Sequence, residues 1–254
     1  MRFDKIIPTD RLKPYIRYFV ISENAEKQTY KVFPSTGLVI GFQYKGHLST
    51  WANGKENNLA SAGITGITGS FKLFTNTADI GTILICFTET GLAQFTPCPA
   101  HELYNQSISL DHLFDRYKIT DTEEKLSLAT TDTQRIRVIE QFLLSQLREK
   151  HTDQLIVEAI NLIYQSKGTI RIKALNNKLH ISQSPFEKRF RKLVGTSPKK
   201  FTSIVRFQSV LHDLEANKGL TETCYENNFF DQPHFIKSFK QFTGQTPEQF
   251  KLSS

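Results

Sequence analysis

The sequence predicts a two-domain α+β chain. A β-rich, barrel- or sandwich-like domain with accompanying helices is expected over residues 1–150, and an all-α domain over residues 151–254. Three observations carry this. A stretch near the C-terminus returns at a fixed offset with helical periodicity. The first 115 or so residues hold short β-branched and aromatic runs between turn residues. Basic charge also gathers in the second part of the chain.

Composition sets the bounds. A chain of 254 residues is long enough for two domains with real cores. Hydrophobic content of 39% with 22% charged residues reads as soluble and globular. No apolar run approaches membrane-spanning length, and Met1-Arg2-Phe3-Asp4 does not lead into a signal-peptide core, so a cytoplasmic protein without membrane contact is expected. Cys86, Cys98 and Cys224 are odd in number and far apart, which suggests neither a disulfide framework nor a zinc cluster. Of the net charge of +7, residues 151–254 contribute +6, from 15 Lys and Arg against 9 Asp and Glu. A basic C-terminal part fits an anionic partner.

In chain order, Thr29–Phe33, Leu38–Tyr44 and Thr82–Thr88 read as strands. Pro34-Ser35-Thr36-Gly37, Asn53-Gly54 and Ala62-Gly63 read as turn material between such strands. Several short strands of this kind suggest a small barrel or sandwich. Leu103–Phe114 is an exit segment with a turn at Asp111-His112-Leu113. Thr133–Lys150 is expected to be a helix with Ile136, Ile139, Leu143 and Leu147 on one face, packed on the barrel or at a dimer contact. Lys150-His151-Thr152-Asp153 is the expected linker, with Thr152 or Asp153 capping a helix over Leu155–Tyr164.

The repeat follows. SQSPFEKRFRKLVGTSPKKF begins at Ser182 and DQPHFIKSFKQFTGQTPEQF at Asp231. Phe186/Phe235, Phe190/Phe239, Gly195/Gly244, Pro198/Pro247 and Phe201/Phe250 are all 49 positions apart. Two copies are too few for a solenoid, so a tandem pair of small helical units is predicted. Ser182 and Asp231 stand where N-caps belong, and Pro185 and Pro233 fall in the first turn, where a missing N–H costs little. Phe186, Phe190 and Leu193, like Phe235, Phe239 and Phe242, recur at i, i+4, i+7 and form apolar stripes. Gly195 and Gly244 are the expected left-handed C-caps. Ser197–Leu214 is expected to be a long connecting helix buried through Phe201, Val205 and Leu211, and Leu220–Asn227 opens the second unit.

Opposite the stripes lie Ser184, Lys188 and Arg191 in the first copy, and Pro233, Lys237 and Lys240 in the second. Lys and Arg opposite a core stripe are ordinary on a solvated helix. Their recurrence at a fixed offset on short capped helices favours the major groove of DNA.

With ISQSPFEKRFRKLVGTSPKKFTSIVRFQ and FFDQPHFIKSFKQFTGQTPEQF in view, residues 155–252 resemble the DNA-binding domain of the AraC family of bacterial transcription regulators. The resemblance implies two helix-turn-helix units, at about 155–195 and 218–250, joined by the helix 197–214. Asn176 and Cys224 stand where the family usually has Ala, and His180 and Asn228 where it has the turn Gly. It implies that helices Gln183–Leu193 and Gln232–Phe242 enter successive major grooves, about 34 Å apart. Gln183, Ser184, Glu187, Lys188 and Arg191 are then the base or phosphate contacts of the first helix, and Gln232, Pro233, His234, Lys237 and Lys240 those of the second. Glu187 could accept from a cytosine amino group or pair with Arg191 at i+4. Pro14–Phe19 and Phe33-Pro34-Ser35-Thr36-Gly37 resemble, more weakly, the sensor domains of one branch of the family. Double-stranded DNA is thus the implied partner, with a small-molecule effector and an RNA polymerase contact, and a homodimer is allowed. The alternative is an architectural DNA binder whose N-terminal half serves packing or oligomerisation.

No GxSxG, HExxH, Walker or Rossmann pattern is present, and His47, His101 and His112 form no HxH. No catalytic, metal or cofactor site is therefore expected. Pro97-Cys98-Pro99 resembles the acceptor-Cys context of DNA-repair methyltransferases that share this C-terminal domain, but Pro99 replaces the activating His, so a buried or idle Cys98 is expected.

Overall fold

The computed structural model describes residues 1–52, 54–148, 151–216, 219–227, 229 and 231–253. Its N-terminal part is built from strands β1 (Arg2–Ile6), β2 (Ile16–Asn24), β3 (Gln28–Val32), β4 (Val39–Lys45), β5 (Leu48–Ala52), β6 (Lys55–Asn58), β7 (Ala62–Thr65), β8 (Lys72–Asn76), β9 (Ile80–Phe87) and β10 (Ser107–Ser109). They pair antiparallel in a six-stranded sheet, β1-β2-β9-β4-β7-β10, and a four-stranded sheet, β3-β8-β5-β6. The strands expected at 29–33, 38–44 and 82–88 are β3, β4 and β9.

Period-two alternation assigns the two faces of the large sheet. Ile40 and Phe42 of β4, and Ile83, Ile85 and Phe87 of β9, point into a core closed by helices α1 (Arg116–Leu128) and α2 (Asp132–Gln146). Phe142 stacks edge-on against Phe42 and Phe114, with ring centroids 5.6 and 5.5 Å away. The intervening residues, among them Val39, Gly41, Thr82 and Leu84, face the second sheet across a cavity of about 830 Å³.

Two expectations need correction here, and one helix was missed. Ala62-Gly63 is not a turn but the start of β7, paired to β4 and β10. A Cβ on Gly63 would lie 3.1 Å from the carbonyl oxygen of Ile108, so this glycine marks close backbone approach within a sheet. The helix expected to run to Lys150 ends at Gln146 with Leu147 as its C-cap, and Lys150 lies outside the described residues. Ile139 and Leu143 are buried as expected, while Ile136 and Leu147 are partly buried against the same core. Helix α1 was not anticipated at all.

The C-terminal part is helical: α3 (Gln154–Gln165), α4 (Ile172–Lys178), α5 (Gln183–Val194), α6 (Pro198–Glu215), α7 (Leu220–Glu226), α8 (Gln232–Thr243) and α9 (Pro247–Ser253). Asp153 caps α3 by accepting from Ile156 N, and Ser197 caps α6 through Lys200 N. Phe201, Val205, Phe207 and Leu214 of α6 are buried, with Leu211 partly so. This second core also takes in Ile67 of the β7–β8 loop, with Phe33 and Tyr104 packed against it. Among the described residues, no helix is long and apolar enough to cross a membrane.

Polar bonds complete the seam between the two parts. The Tyr164 hydroxyl donates to Glu89, which is ion-paired to Arg17, and lies 2.8 Å from Thr36 Oγ1. Lys31 Nζ donates to the Thr243 carbonyl at 3.1 Å, and Lys200 Nζ to the Gly69 carbonyl at 2.9 Å.

Candidate nucleic-acid interface

Helices α5 and α8 are the two copies of the repeat, each preceded by a shorter helix, α4 or α7. Their apolar faces are fully used. Phe186, Phe190 and Val194 are buried in α5, and Phe235, Phe239 and Phe242 in α8. Leu193, expected on the first stripe, is only partly buried, because the helix turns Val194 inward in its place. The rings pack edge-on within and between helices: Phe190 on Phe186 and Phe201, and Phe239 on Phe207 and Phe250. Burying each such side chain is worth about 1.5–3 kcal/mol, which holds a helix of only 12 residues in place.

Both helices end on glycine in the left-handed region, Gly195 at φ 98° and Gly244 at φ 75°. A side chain there would be strained, and at Gly244 it would also collide with the Phe71 ring, 2.6 Å from a built Cβ. The expected C-caps are therefore present.

The N-termini differ. Asp231 Oδ1 accepts from His234 N at 2.7 Å, as expected. Ser182 occupies the N-cap position of α5, but its side chain makes no capping bond. The copies differ by one residue at the position that donates in α8. An N-cap side chain accepts from the second or third helical N–H. In α5 the third residue is Pro185, which has no N–H, whereas in α8 proline stands second and His234 third.

Of the sequence-predicted contact residues, Gln183, Ser184, Lys188 and Arg191 of α5 are exposed, as are Gln232, Pro233, His234, Lys237 and Lys240 of α8. Glu187 is half-buried and accepts from Gln183 Nε2 at 3.1 Å; the pair with Arg191 is not formed. Arg189, an exposed cation between Lys188 and Phe190, is already committed. Both its Nε and Nη2 reach Asp153, at 2.9 and 2.6 Å, and the carboxylate raises its pKa. One carboxylate thus caps α3 and fixes α5 against it.

The departures in the turns have structural consequences. His180 adopts a left-handed φ of 50°, as the residue in place of the turn glycine must. Asn176 is buried with its Oδ1 unpartnered, and Cys224 is buried. Asn228 lies outside the described residues.

Two features were missed by sequence reasoning. The first is the cavity between the sheets. Its walls carry Val20, Val39, Ile64, Leu84 and Phe74, and its titratable side chains include Lys31, Lys72 and His112 but no carboxylate among the described residues. Lys72 donates to Ser107 Oγ at 2.9 Å, and burial lowers the pKa of its ammonium. Cys86 also lines the cavity, with burial pushing its thiol up to about 11. The second is a groove between α6 and α8 lined by Lys199, Lys200, Arg206, His234 and Lys237. The spacing of Lys199, Ser203 and Arg206 at i, i+4, i+7 was the available signal. Cys98 is half-buried beside Glu102, and both burial and that carboxylate raise its pKa, which opposes thiolate chemistry. Among the described residues, no group of three or more His, Cys, Asp or Glu is placed to hold a metal.

Comparison with known proteins gives two family matches. Residues 175–253 match a helix-turn-helix domain, and residues 4–109 match a domain of unknown function, DUF6597. The Msm operon regulatory protein of Streptococcus mutans is 27% identical over 154 residues, 59% of this chain and 55% of that protein. An uncharacterized HTH-type transcriptional regulator of Haemophilus influenzae is 26% identical over 117 residues, 46% of this chain and 38% of that one. The chain spans about half the length, or less, of these curated relatives. A 1.65 Å structure of ToxT from Vibrio cholerae aligns over 92% of this chain and 97% of that one, with 9% identity and a TM-score of 0.49.

Proposed function

We propose that this chain, a member of the AraC family through its C-terminal helix-turn-helix domain, is a sequence-specific DNA-binding transcription regulator controlled by a small molecule. The observation that carries the reading is the equivalence of α5 and α8. Each is fixed by a buried Phe pair and a left-handed glycine, and each turns a polar and cationic face outward. Helices of this kind dock in major grooves, and two on one chain read two boxes about one helical turn apart. Ser184, Lys188 and Arg191 would contact the first box, with Gln183 and Glu187 beside them. Gln232, Pro233, His234, Lys237 and Lys240 would contact the second. The role is binding rather than catalysis, exercised on DNA in the cytoplasm, with an RNA polymerase contact and a homodimer as further elements of the family reading.

We place the domain division at residues 150 and 151, and assign the cavity between the sheets to the effector. Its apolar walls with a few polar groups suit a small organic ligand. Lys31 and Phe33 support a route from cavity to DNA, since both line the cavity and both touch the second helix-turn-helix unit.

Selection of bound sites from a random duplex library, with the full chain near physiological salt, tests this. Recovery of a motif with two boxes about one turn apart is expected. Salt-sensitive binding without any motif, in the presence and absence of candidate effectors, would replace the regulator by an architectural DNA binder.

A further inference from the structure

The connecting helix α6 was expected to join the two DNA-binding units, buried through Phe201, Val205 and Leu211. Its exposed face is unusual. Lys199, Ser203 and Arg206 share one side of it, and the facing side of α8 carries His234, Lys237, Ser238 and Gln241. Between them runs an open groove of about 450 Å³ whose described lining holds four Lys or Arg side chains, one His and no carboxylate.

Two of these cations are held in place by the fold. Lys200 lies over the Phe242 ring at 4.5 Å while donating to Gly69 O, and Arg206 lies over Phe229 at 5.4 Å while donating to Gly168 O. Neither bond neutralises its charge, because carbonyls and rings carry none. Lys199 and Lys237 stand exposed on opposite walls. Like charges gathered without an acid focus a positive potential, and such a site gains most from a polyanion.

We infer that this groove is a phosphate-binding ledge that grips the DNA backbone beside the second box, with Lys199 and Lys237 as the exposed contacts and Lys200 and Arg206 as the fixed field behind them. The inference rests on the regulator reading and extends it to α6. Geometry selects the backbone as the phosphate source. Lys237 belongs both to the groove and to the outward face of α8, so a phosphate in the groove borders the major groove that α8 would enter. Helix α6, with 18 residues, is about 27 Å long and follows directly from α5, so its N-terminal face lies along the path from one box to the next. A contact there positions the protein on the duplex without reading sequence.

The test uses the full chain and two labelled duplexes, one of random sequence and one from the library selection, titrated across a range of salt. Lys199→Gln should lower the slope of log affinity against log salt by about 0.9 on both duplexes. Equivalently, the wild-type advantage at about 50 mM salt should be about 3.5-fold larger than at about 200 mM. Lys199 is exposed, and an unchanged melting curve will show that the variant folds. Wild-type slopes for Lys199→Gln, with normal binding otherwise, overturn the ledge and leave the regulator reading intact. Failure of the wild-type chain to bind either duplex removes the regulator reading itself. Saturable binding of pyrophosphate without DNA, lost in Lys199→Gln while the salt slope stays unchanged, would assign the groove to a free phosphate ester and overturn the proposal.

Discussion

The two recognition helices are expected to respond oppositely to removal of their N-cap side chains. In α8 the Asp231 carboxylate accepts from His234 N at 2.7 Å and sits at the positive end of the helix dipole. Asp231→Ala removes a capping bond worth about 1 kcal/mol and a charge–dipole attraction of about 0.3–1 kcal/mol, so about 1–2 kcal/mol in all. In α5 Pro185 stands at the position that donates in α8, and Ser182 makes no side-chain capping bond to lose. Ser182→Ala should therefore fall within about 0.5 kcal/mol of wild type. Amide hydrogen exchange of the full chain resolves the two helices. Asp231→Ala should speed exchange in α8 by about 5–30-fold, and Ser182→Ala should leave α5 nearly unchanged. A further pair isolates the cause: with Pro185→Ala restoring an N–H, adding Ser182→Ala should now cost about 1 kcal/mol. Equal losses for Ser182→Ala and Asp231→Ala in the wild-type background would refute the role given to the proline.

Three further outcomes are expected. Phe190→Ala and Phe239→Ala should each destabilise the helical part by about 3–5 kcal/mol, read as a drop in urea midpoint, since both rings are buried in the helical core and packed edge-on against other rings. Lys188→Ala and Lys237→Ala should each weaken specific binding by about 1–3 kcal/mol if the ammonium reaches base edges, and near-wild-type affinity for both would remove these faces from the interface. Burial and Glu89 push the Tyr164 hydroxyl up to about 12, above its usual 10, so the unfolded chain loses this proton first. The stability from protonated Tyr164 is then complete below pH 10 and declines between about pH 10 and 12, and Tyr164→Phe should flatten that decline in pH-dependent unfolding.

The helical part was legible because its restraints are local. Phe at i and i+4, followed by glycine in a left-handed cap, encodes a buried face and a stop within a dozen residues, and the offset of 49 repeats the message. Two local details were misread: Leu193 stood for Val194 on the first stripe, and the proline shifts by a single residue between copies, which changes which amide is free to donate. Helix α1 escaped because its buried residues are only Ile119, Thr122 and Leu126, a stripe too thin to stand out from the charged residues around it. Gly63 escaped because a glycine at a turn and a glycine under a neighbouring strand look alike in sequence.

The cavity and the seam were out of reach for a different reason. Alternation shows that β4 and β9 have two faces, but not that one face is hollow. With hindsight, the hollow side carries small residues, such as Gly41 and Thr82, where the filled side carries Ile40, Phe42 and Ile83. The seam hydrogen bonds join residues 75 to 212 positions apart, and no periodicity encodes such contacts. Its layout nevertheless bears on the proposed control. Lys31 leaves the cavity wall to bond the carbonyl of Thr243, the last residue of α8, and Phe33 leaves it to pack on Phe207 and Phe250. The Lys31 bond is 3.1 Å long, and a hydrogen bond weakens sharply beyond about 3.5 Å. On the proposed reading, a ligand that draws β3 inward by as little as about 0.5–1 Å would free the C-terminus of α8. Among the described residues, the second recognition helix is then the one tied to the cavity wall by a hydrogen bond.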